Sequence, residues 1–260
     1  MKKPGTNTHG DPGLPIFAKK TMPAPKLFHF EKNFEILSFQ VDPEGKLRWS
    51  ALGNLFQEIA WQHADSGNFG QNLFDLGFHW VLSRFHIEVQ KLPHWGEVIR
   101  MKTAARGIDS LFALREFEMT SLSAEVLARG MSSWLLLDSK SKRPKRPNQF
   151  LPGDLFPEVA KGTLLPAKLP VPTETSHTKL FTVQPSDLDM NNHVNNVTYI
   201  RWIEDYSHAF GLAFSRLEIN FLAEAILHQD VEVTAQNSEA GWILVGRVNN
   251  APIFLARTSG

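Results

Sequence analysis

Ser83-Arg84-Phe85-His86-Ile87-Glu88-Val89 and Ser215-Arg216-Leu217-Glu218-Ile219-Asn220-Phe221 read almost alike and stand 132 positions apart. Each opens Ser-Arg and then alternates apolar and polar side chains, the pattern of a strand with one buried face. Self-similarity at a fixed spacing marks a duplicated architectural unit. A chain of 260 residues has room for two such units, of about 120 residues each.

The surroundings of the two copies repeat as well. In the first half, 78–90, 97–105, 111–120 and 124–138 alternate or run apolar, as in Trp134-Leu135-Leu136-Leu137, and predict four strands. Upstream, Leu52, Leu55, Phe56, Ile59, Ala60 and His63 recur at helical spacing. They predict a helix from Ser50, as its N-cap, to about Ala64, with Gly67 and Gly70 at its end. Phe34, Ile36, Phe39 and Val41 suggest an opening strand within 28–41, and Asp42-Pro43-Glu44-Gly45 a turn. The second half shows a short strand at Phe181 and Val183, then a polar cluster. A helix follows from Asn195 or Asn196 to Phe210, with Tyr199, Ile200, Ile203 and Tyr206 inward, then strands at 214–224, 230–237, 241–248 and 252–257.

A helix followed by an antiparallel meander, made twice, predicts an α+β chain of the tandem (double) hotdog type. In it, two central helices are each wrapped by a curved antiparallel sheet. The expected map is a flexible leader at 1–26, an N-terminal hotdog at 27–138, a linker at 139–176 and a C-terminal hotdog at 177–260. The linker holds Lys140-Ser141-Lys142-Arg143-Pro144-Lys145-Arg146-Pro147 and further prolines, and reads as extended or irregular.

Composition excludes several classes. Formal charge is zero, so nucleic acid is not expected as a partner. The absence of cysteine removes disulfides, thiolate metal sites and a Cys nucleophile. No apolar run reaches the ~20 residues of a membrane span. The leader has neither the apolar core of a signal peptide nor the Arg/Ser bias of a transit peptide, which points to a cytoplasmic protein. Nineteen Phe and seven Trp are many for this length; they fill a core or line an apolar tunnel. There is no Gly-x-Ser-x-Gly elbow, His-Glu-x-x-His, Gly-x-Gly-x-x-Gly or P-loop, and the ten His are scattered, so no metal is expected.

The second half carries Asp187-Leu188-Asp189-Met190-Asn191-Asn192-His193-Val194-Asn195-Asn196, and the first half shows nothing comparable. One half therefore reads as the chemical one, and the other as the one that shapes the molecule and holds part of the ligand. Asp187, Asn192, Asn195 and Asn196 are equally good turn and capping residues.

Continued through Val197-Thr198-Tyr199-Ile200-Arg201-Trp202, this block closely resembles the signature of acyl-ACP thioesterases. In half one, Val41-Asp42-Pro43, Gly45-Lys46-Leu47, Leu55-Phe56-Gln57-Glu58 and Trp80-Val81-Leu82-Ser83-Arg84-Phe85-His86-Ile87-Glu88 look like the same family. So do Pro93-His94-Trp95-Gly96-Glu97, Arg115-Glu116-Phe117 and Trp134-Leu135-Leu136-Leu137-Asp138; the similarity runs from about Phe28 to Thr258. The resemblance implies an enzyme that hydrolyses the thioester of a fatty acyl chain on acyl carrier protein. It ends chain elongation and needs no cofactor. It implies a site of Asp189, Asn191 and His193 with Glu224 from a later strand. Plant members carry a Cys beside that Glu; here the position is Ala225.

Aligning Asn54-Leu55-Phe56 with Thr198-Tyr199-Ile200, 144 positions apart, sets Gly45, Leu47 and Trp49 against Asp189, Asn191 and His193. The spacing of 132 sets Leu92 against Glu224. All four polar groups are then expected in half two alone. The chemistry suits them: Glu224, or else Asp189, as general base, Asn191 and His193 holding water and substrate, and backbone N–H groups of Val194 to Asn196 at the oxyanion. Trp61, Phe69, Phe78 and Trp80 are candidates for the acyl pocket, and the basic run 140–146 for docking an acidic carrier protein. Rival expectations are a hotdog thioesterase acting on acyl-CoA, a 3-hydroxyacyl dehydratase and a noncatalytic acyl-chain binder. A homodimer is left open.

Overall fold

The computed structural model describes residues 28–67, 69–151 and 164–260. The expected leader and residues 152–163 of the expected linker lie outside the described residues. In half one the elements are β1 (Phe30–Glu35), α1 (Trp49–Ser66), α2 (Gln71–Asp75), β2 (Phe78–Val89), β3 (Val98–Asp109), β4 (Phe112–Ser121), β5 (Val126–Asp138) and β6 (Pro144–Lys145). In half two they are β7 (Ser176–Thr182), α3 (Asn196–Ala209), β8 (Arg216–Phe221), β9 (Asp230–Ser238), β10 (Gly241–Val248) and β11 (Ala251–Ser259). The short α2 was not anticipated from the sequence.

Among the described residues all eleven strands join one antiparallel sheet. Its order is β1-β3-β4-β5-β2-β8-β11-β10-β9-β7, with β6 on β5. The halves meet where β2 pairs with β8. Alternation decides which face is buried: Phe85 and Ile87 of β2, and Leu217 and Ile219 of β8, pack under the helices in one continuous core. Leu52, Phe56 and Ile59 of α1 and Tyr199, Trp202 and Ile203 of α3 fill the same core. Two helices covering one face of a continuous sheet, with neither half leaving an open edge at the junction, is a double hotdog.

The halves are related by a near two-fold axis that can be located. His86 sits directly opposite Glu218, and these two are 132 positions apart, the spacing of the sequence repeat. The helices cross where Gly53 faces Ile200, each the fifth residue of its helix. A Cβ on Gly53 would come within 3.1 Å of Ile200 Cδ1, so the close crossing favours glycine there. Gly53 and Ile200 are 147 positions apart. The same spacing relates the 3-10 turns Ser38–Gln40 and Pro185–Asp187, and the bridges Val41↔Leu47 and Leu188↔Val194. The expected helix alignment at 144 is therefore displaced by three residues. A helix face recurs every three to four residues, so such a slip matches hydrophobicity almost as well. The true counterparts of Asp189, Asn191 and His193 are Asp42, Glu44 and Lys46.

Helix α1 is not capped by Ser50. Its N-cap is Arg48, which offers no acceptor and instead donates from Nε to Val41 O at 2.8 Å. The acceptor comes from the other half. Glu204 of α3 receives the N–H groups of Trp49 and Ser50 at 2.9 and 3.3 Å and the Ser50 hydroxyl at 3.2 Å. Burial raises the Glu204 pKa, and the hydrogen bonds from α1 oppose the shift. At the other end of the crossing, Asn195 caps α3 by accepting from Val197 N–H at 3.0 Å. Gln57 of α1 donates to that Asn195 oxygen at 3.4 Å. Glu204 and Gln57 are each the ninth residue of their helix, so each helix reaches the start of the other.

On the outer face, Lys102, Glu118, Arg129, Glu88 and Arg216 lie in one row across β3, β4, β5, β2 and β8. Their signs alternate, with ion pairs of 3.0, 3.5 and 3.3 Å between Lys102–Glu118, Glu118–Arg129 and Glu88–Arg216. Residues 139–151 open with a tight hairpin that adds β6 to β5 and a 3-10 turn at Pro147–Gln149. From 164 to 175 the chain has neither helix nor strand. It is nonetheless held: Leu169 N–H donates to Asn220 Oδ1 and Asn220 Nδ2 to Ala167 O, both at 2.9 Å. Leu169 covers Val245 and Leu255 on the outer face.

Near the end of α1, Arg115 is buried and donates to His63 Nδ1 at 2.9 Å and to Thr103 Oγ1 at 3.2 Å. Burial, then the Arg115 cation, then His29, pull the His63 pKa down to about 4, so its ring is neutral and accepts.

Two outcomes follow from these contacts. Glu204→Ala strips both α1 N–H groups of their acceptor and should cost about 2 kcal/mol in denaturant unfolding, whereas Gln57→Ala should cost under about 1. Histidine in the unfolded chain titrates near 6.5, so between pH 6.5 and about 4 the unfolded state binds the extra proton and stability falls with pH. From pH 7 to 5 the wild type should lose about 2 kcal/mol more than His63→Gln does; equal losses would remove His63 as the cause.

Candidate active site

The polar block before α3 is a tight turn organised by one carboxylate. Asp189 Oδ1 accepts from Asn191 N–H at 2.8 Å and His193 N–H at 3.3 Å. Asp189 Oδ2 accepts from the Asn191 side-chain amide at 3.4 Å. The Asp189 N–H donates to His193 O at 2.8 Å, and Asn192 takes a positive φ of 60° to close the turn. Asp187 braces the block from below. It is buried, accepts from Gln184 N–H and pairs with Arg201 at 2.5 Å. Asp187, Asn192 and Asn195 thus act as turn and capping residues.

Half one builds the same turn. Asp42 Oδ1 accepts from Glu44 N–H and Lys46 N–H, both at 2.9 Å. Asp42 N–H donates to Lys46 O at 2.8 Å, and Gly45 has a φ of +79°. The aspartate is therefore common to both halves, contrary to its expected absence from half one. Asn191 and His193, replaced there by Glu44 and Lys46, are particular to half two.

Glu224 enters from the end of β8. The N–H groups of Leu222 and Ala223 both donate to Ile253 O, at 2.9 and 3.1 Å, and this bulge turns the next residue toward α3. Half one repeats the bulge: Gln90 and Lys91 both donate to Leu127 O, and the following residue is Leu92. In half two, Glu224 Oε2 lies 3.2 Å from His193 Nδ1, with the side chains 59% and 40% exposed. Asp189, Asn191, His193 and Glu224 are thus brought together, through one turn and one side-chain pair. The exposed apolar side chains of Met190, Leu222 and Ile226 adjoin them in sequence.

The turn and the strand end are joined at a single peptide. Val194 N–H donates to Ala225 O at 3.0 Å, and Ala225 N–H donates to the Tyr199 hydroxyl at 3.0 Å. Ala225 is fully buried. Of the three N–H groups expected at an oxyanion, Val194 is spent on Ala225 O and Asn195 on Asp187 O. Asn196 N–H alone has no acceptor among the described residues.

Half one also reaches the site. His79, on β2, has a pKa lowered by burial and by Lys142, with Glu224 pulling the other way, so both charges act on it. His79 Nδ1 lies 3.2 Å from Ser139 Oγ. Gln57 touches the α3 cap, and Trp61, one turn further along that face of α1, is 53% exposed. Phe69, Phe78 and Trp80 lie elsewhere, in a satellite core with Ala64, Leu73, Leu136 and Leu151. There Trp80 Nε1 donates to Phe69 O at 3.1 Å and Phe78 packs on Phe150. Three of the four pocket candidates thus share one cluster, and Trp61 is exposed on α1. His79, Gln57 and Tyr199 were not singled out from the sequence. Aligning the halves at 147 would have exposed the contrast of Tyr199 with Leu52.

Residues 28–149 match the acyl-ACP thioesterase N-terminal domain and residues 171–249 the acyl-ACP thioesterase C-terminal domain. Oleoyl-acyl carrier protein thioesterase 1, chloroplastic, of Arabidopsis thaliana is 29% identical over 195 residues, 67% of this chain and 53% of that protein. A dodecanoyl-[acyl-carrier-protein] hydrolase, chloroplastic, of Cinnamomum camphora is 25% identical over 240 residues, 82% of this chain and 62% of that protein. The chain therefore spans little more than half the length of such curated relatives. In fold it is similar to an acyl-ACP thioesterase from Bacteroides thetaiotaomicron, with a TM-score of 0.78 and 24% identity over 88% of this chain and 96% of that one. It is also similar to the 12:0-ACP thioesterase from Umbellularia californica, with a TM-score of 0.75 and 20% identity over 88% of this chain and 96% of that one. With both halves of the duplication matched, each by its own domain description, the chain belongs to the acyl-ACP thioesterase family.

Proposed function

We propose that this protein hydrolyses fatty acyl-acyl carrier protein to free fatty acid and carrier protein, terminating elongation. The observation that carries this is the His193–Glu224 pair at 3.2 Å, set in half two at the start of α3 and replaced in half one by Lys46 and Leu92. The fold does not require that pair, since half one makes the same turn and bulge without it. Family membership supports the reaction class.

The internal comparison also supports a division of roles. Both Asp189 oxygens are committed to the turn, as Asp42 shows for one oxygen in half one. Glu224 is bound through one oxygen only and is half open, so it is the general base that draws a proton from the attacking water. His193 orients Glu224 and the water. The Asn191 amide and Asn196 N–H are the donors available to the thioester carbonyl as it becomes an oxyanion. Asp189 keeps Asn191 and His193 in register.

The basic hairpin supports a carrier-protein partner. Lys140, Lys142, Arg143 and Arg146 are exposed, and Lys142 acts on His79, which in turn senses Glu224. Lys145 is partly spent on Asp138 at 3.9 Å.

Purified protein should show higher kcat/KM on acyl-ACP than on the matched acyl-CoA, and mass analysis should find free acid. A higher value on acyl-CoA, or an enoyl thioester as product, would select a rival activity, and tight acyl retention without turnover a binding protein. Asn191→Ala, His193→Ala and Glu224→Ala should each lower kcat at least about tenfold with the fold intact; full activity in all three would remove this site. Asp42→Ala should lower stability with little effect on kcat. Reversing Lys142, Arg143 and Arg146 to Glu should raise KM for acyl-ACP about tenfold and leave a small acyl thioester nearly unaffected; equal effects on both would dismiss the hairpin as a docking surface.

A further inference from the structure

The joint between turn and strand end is made differently in the two halves. In half one, Leu47 N–H donates to Pro93 O at 2.8 Å, the counterpart of Val194 N–H on Ala225 O. Pro93 stands where Ala225 stands, and Leu52 where Tyr199 stands. Proline has no N–H and leucine no hydroxyl, so the second bond of the joint is missing on both sides at once. Half two has both partners. It is also the half in which the residue before the joint is Glu224 instead of Leu92.

Tyr199 is poorly explained as packing alone. Its ring is held by Trp202, Phe221 and Phe254 at centroid distances of 5.3, 5.8 and 5.4 Å, and the residue is 2% exposed. A phenylalanine would fill the same space. The hydroxyl oxygen accepts Ala225 N–H at 3.0 Å, which leaves its own hydrogen to donate. Burial raises its pKa to about 12, with the Glu224 and Asp189 carboxylates adding to the rise, so both carboxylates act on it and the group stays a neutral O–H donor. A half that merely needed a quiet joint would have used Pro and Leu, as half one does.

We propose that Tyr199 is a positioning residue: its hydroxyl, by gripping the Ala225 N–H of the peptide that joins Glu224 to Ala225, sets the Glu224 carboxylate against His193. It touches no substrate; it acts through Glu224. The proposal rests on the thioesterase reading for its kinetic readout, and on the His193–Glu224 pair alone for its spectroscopic one.

The test uses Tyr199→Phe, Ala225→Pro and the double variant, which copies the absence of both partners in half one. Tyr199→Phe should lower kcat about tenfold, the worth of one catalytic hydrogen bond, with KM within about twofold. In a Glu224→Gln background the same substitution should cause no further loss. Adding Ala225→Pro removes the stranded N–H; activity should stay low, because the hydroxyl's hold on the peptide that follows Glu224 is still missing. Recovery to near wild-type kcat in the double variant would show that Tyr199 only satisfies an amide and would overturn the proposal. Wild-type kcat in Tyr199→Phe, or an equal further loss in the Glu224→Gln background, would do the same. Thermal unfolding of each variant separates loss of fold from loss of position. The NMR signals of the His193 imidazole give a readout free of substrate: Tyr199→Phe should displace them as the Glu224 pairing loosens. Displaced signals in a protein that turns over no thioester would keep the positioning role and reject the hydrolytic one; unchanged signals would reject the positioning role.

Discussion

The close crossing of α1 over α3 sets the rest of the molecule. Helix α1 cannot complete its own start, since Arg48 offers it no acceptor, whereas α3 is capped by its own Asn195. Glu204 therefore has to lie over the first turn of α1, and this holds only while Gly53 lets the axes approach. A buried carboxylate without those N–H groups would be costly, so the crossing, the cap and the seam at His86 and Glu218 stand or fall together. The site inherits its rigidity from this arrangement, because α3 begins where the His193 turn ends.

Duplication supplies a control that a single unit lacks. Where the halves agree, physical necessity of the fold is the sufficient reason: the Asp turn, the bulge after the seam strand and the bridge from turn to strand end occur in both. Where they differ, fold alone gives no reason. Asn191, His193, Glu224 and Tyr199 stand against Glu44, Lys46, Leu92 and Leu52. Asp189 falls on the shared side of that line, which is why we propose it as the organiser of the turn and Glu224 as the base.

Much of this was legible in the residues. Most strands and helices fell within a few positions of their predicted ends, because alternation and helical periodicity are strong where one face is buried. The opening strand, however, stops at Glu35 before a 3-10 turn, and the strand read at Phe181 and Val183 runs from Ser176 to Thr182. The polar block before α3 stood out because it is long, and it folds as one turn with His193 beside Glu224. What was lost follows from local ambiguity. Ser50 looks like a cap, yet a cap supplied from 154 residues away leaves no local trace. The helix register slipped by three because one apolar face resembles itself after a turn. Asp42 was hidden by that slip, and with it the pairing of Pro93 and Leu52. The pocket candidates rest on size and aromaticity, and three of them pack in a satellite core around Phe69.

The two repeat spacings differ by fifteen residues, and the difference has a location. It lies between the central helix and the seam strand: α1 is longer than α3, and α2 is inserted before β2. The insertion covers the beginning of β2, where Phe78 and Trp80 pack under it and His79 senses Glu224. Half one thus departs from its twin at the start of the strand that pairs with β8. Side chains alternate along a strand, so Phe78 and Trp80 turn toward the insertion while His79 turns away from it. Growth at this point therefore adds a satellite core around Phe69, Leu73 and Leu136 and leaves the shared core and the seam as they stand in the other half.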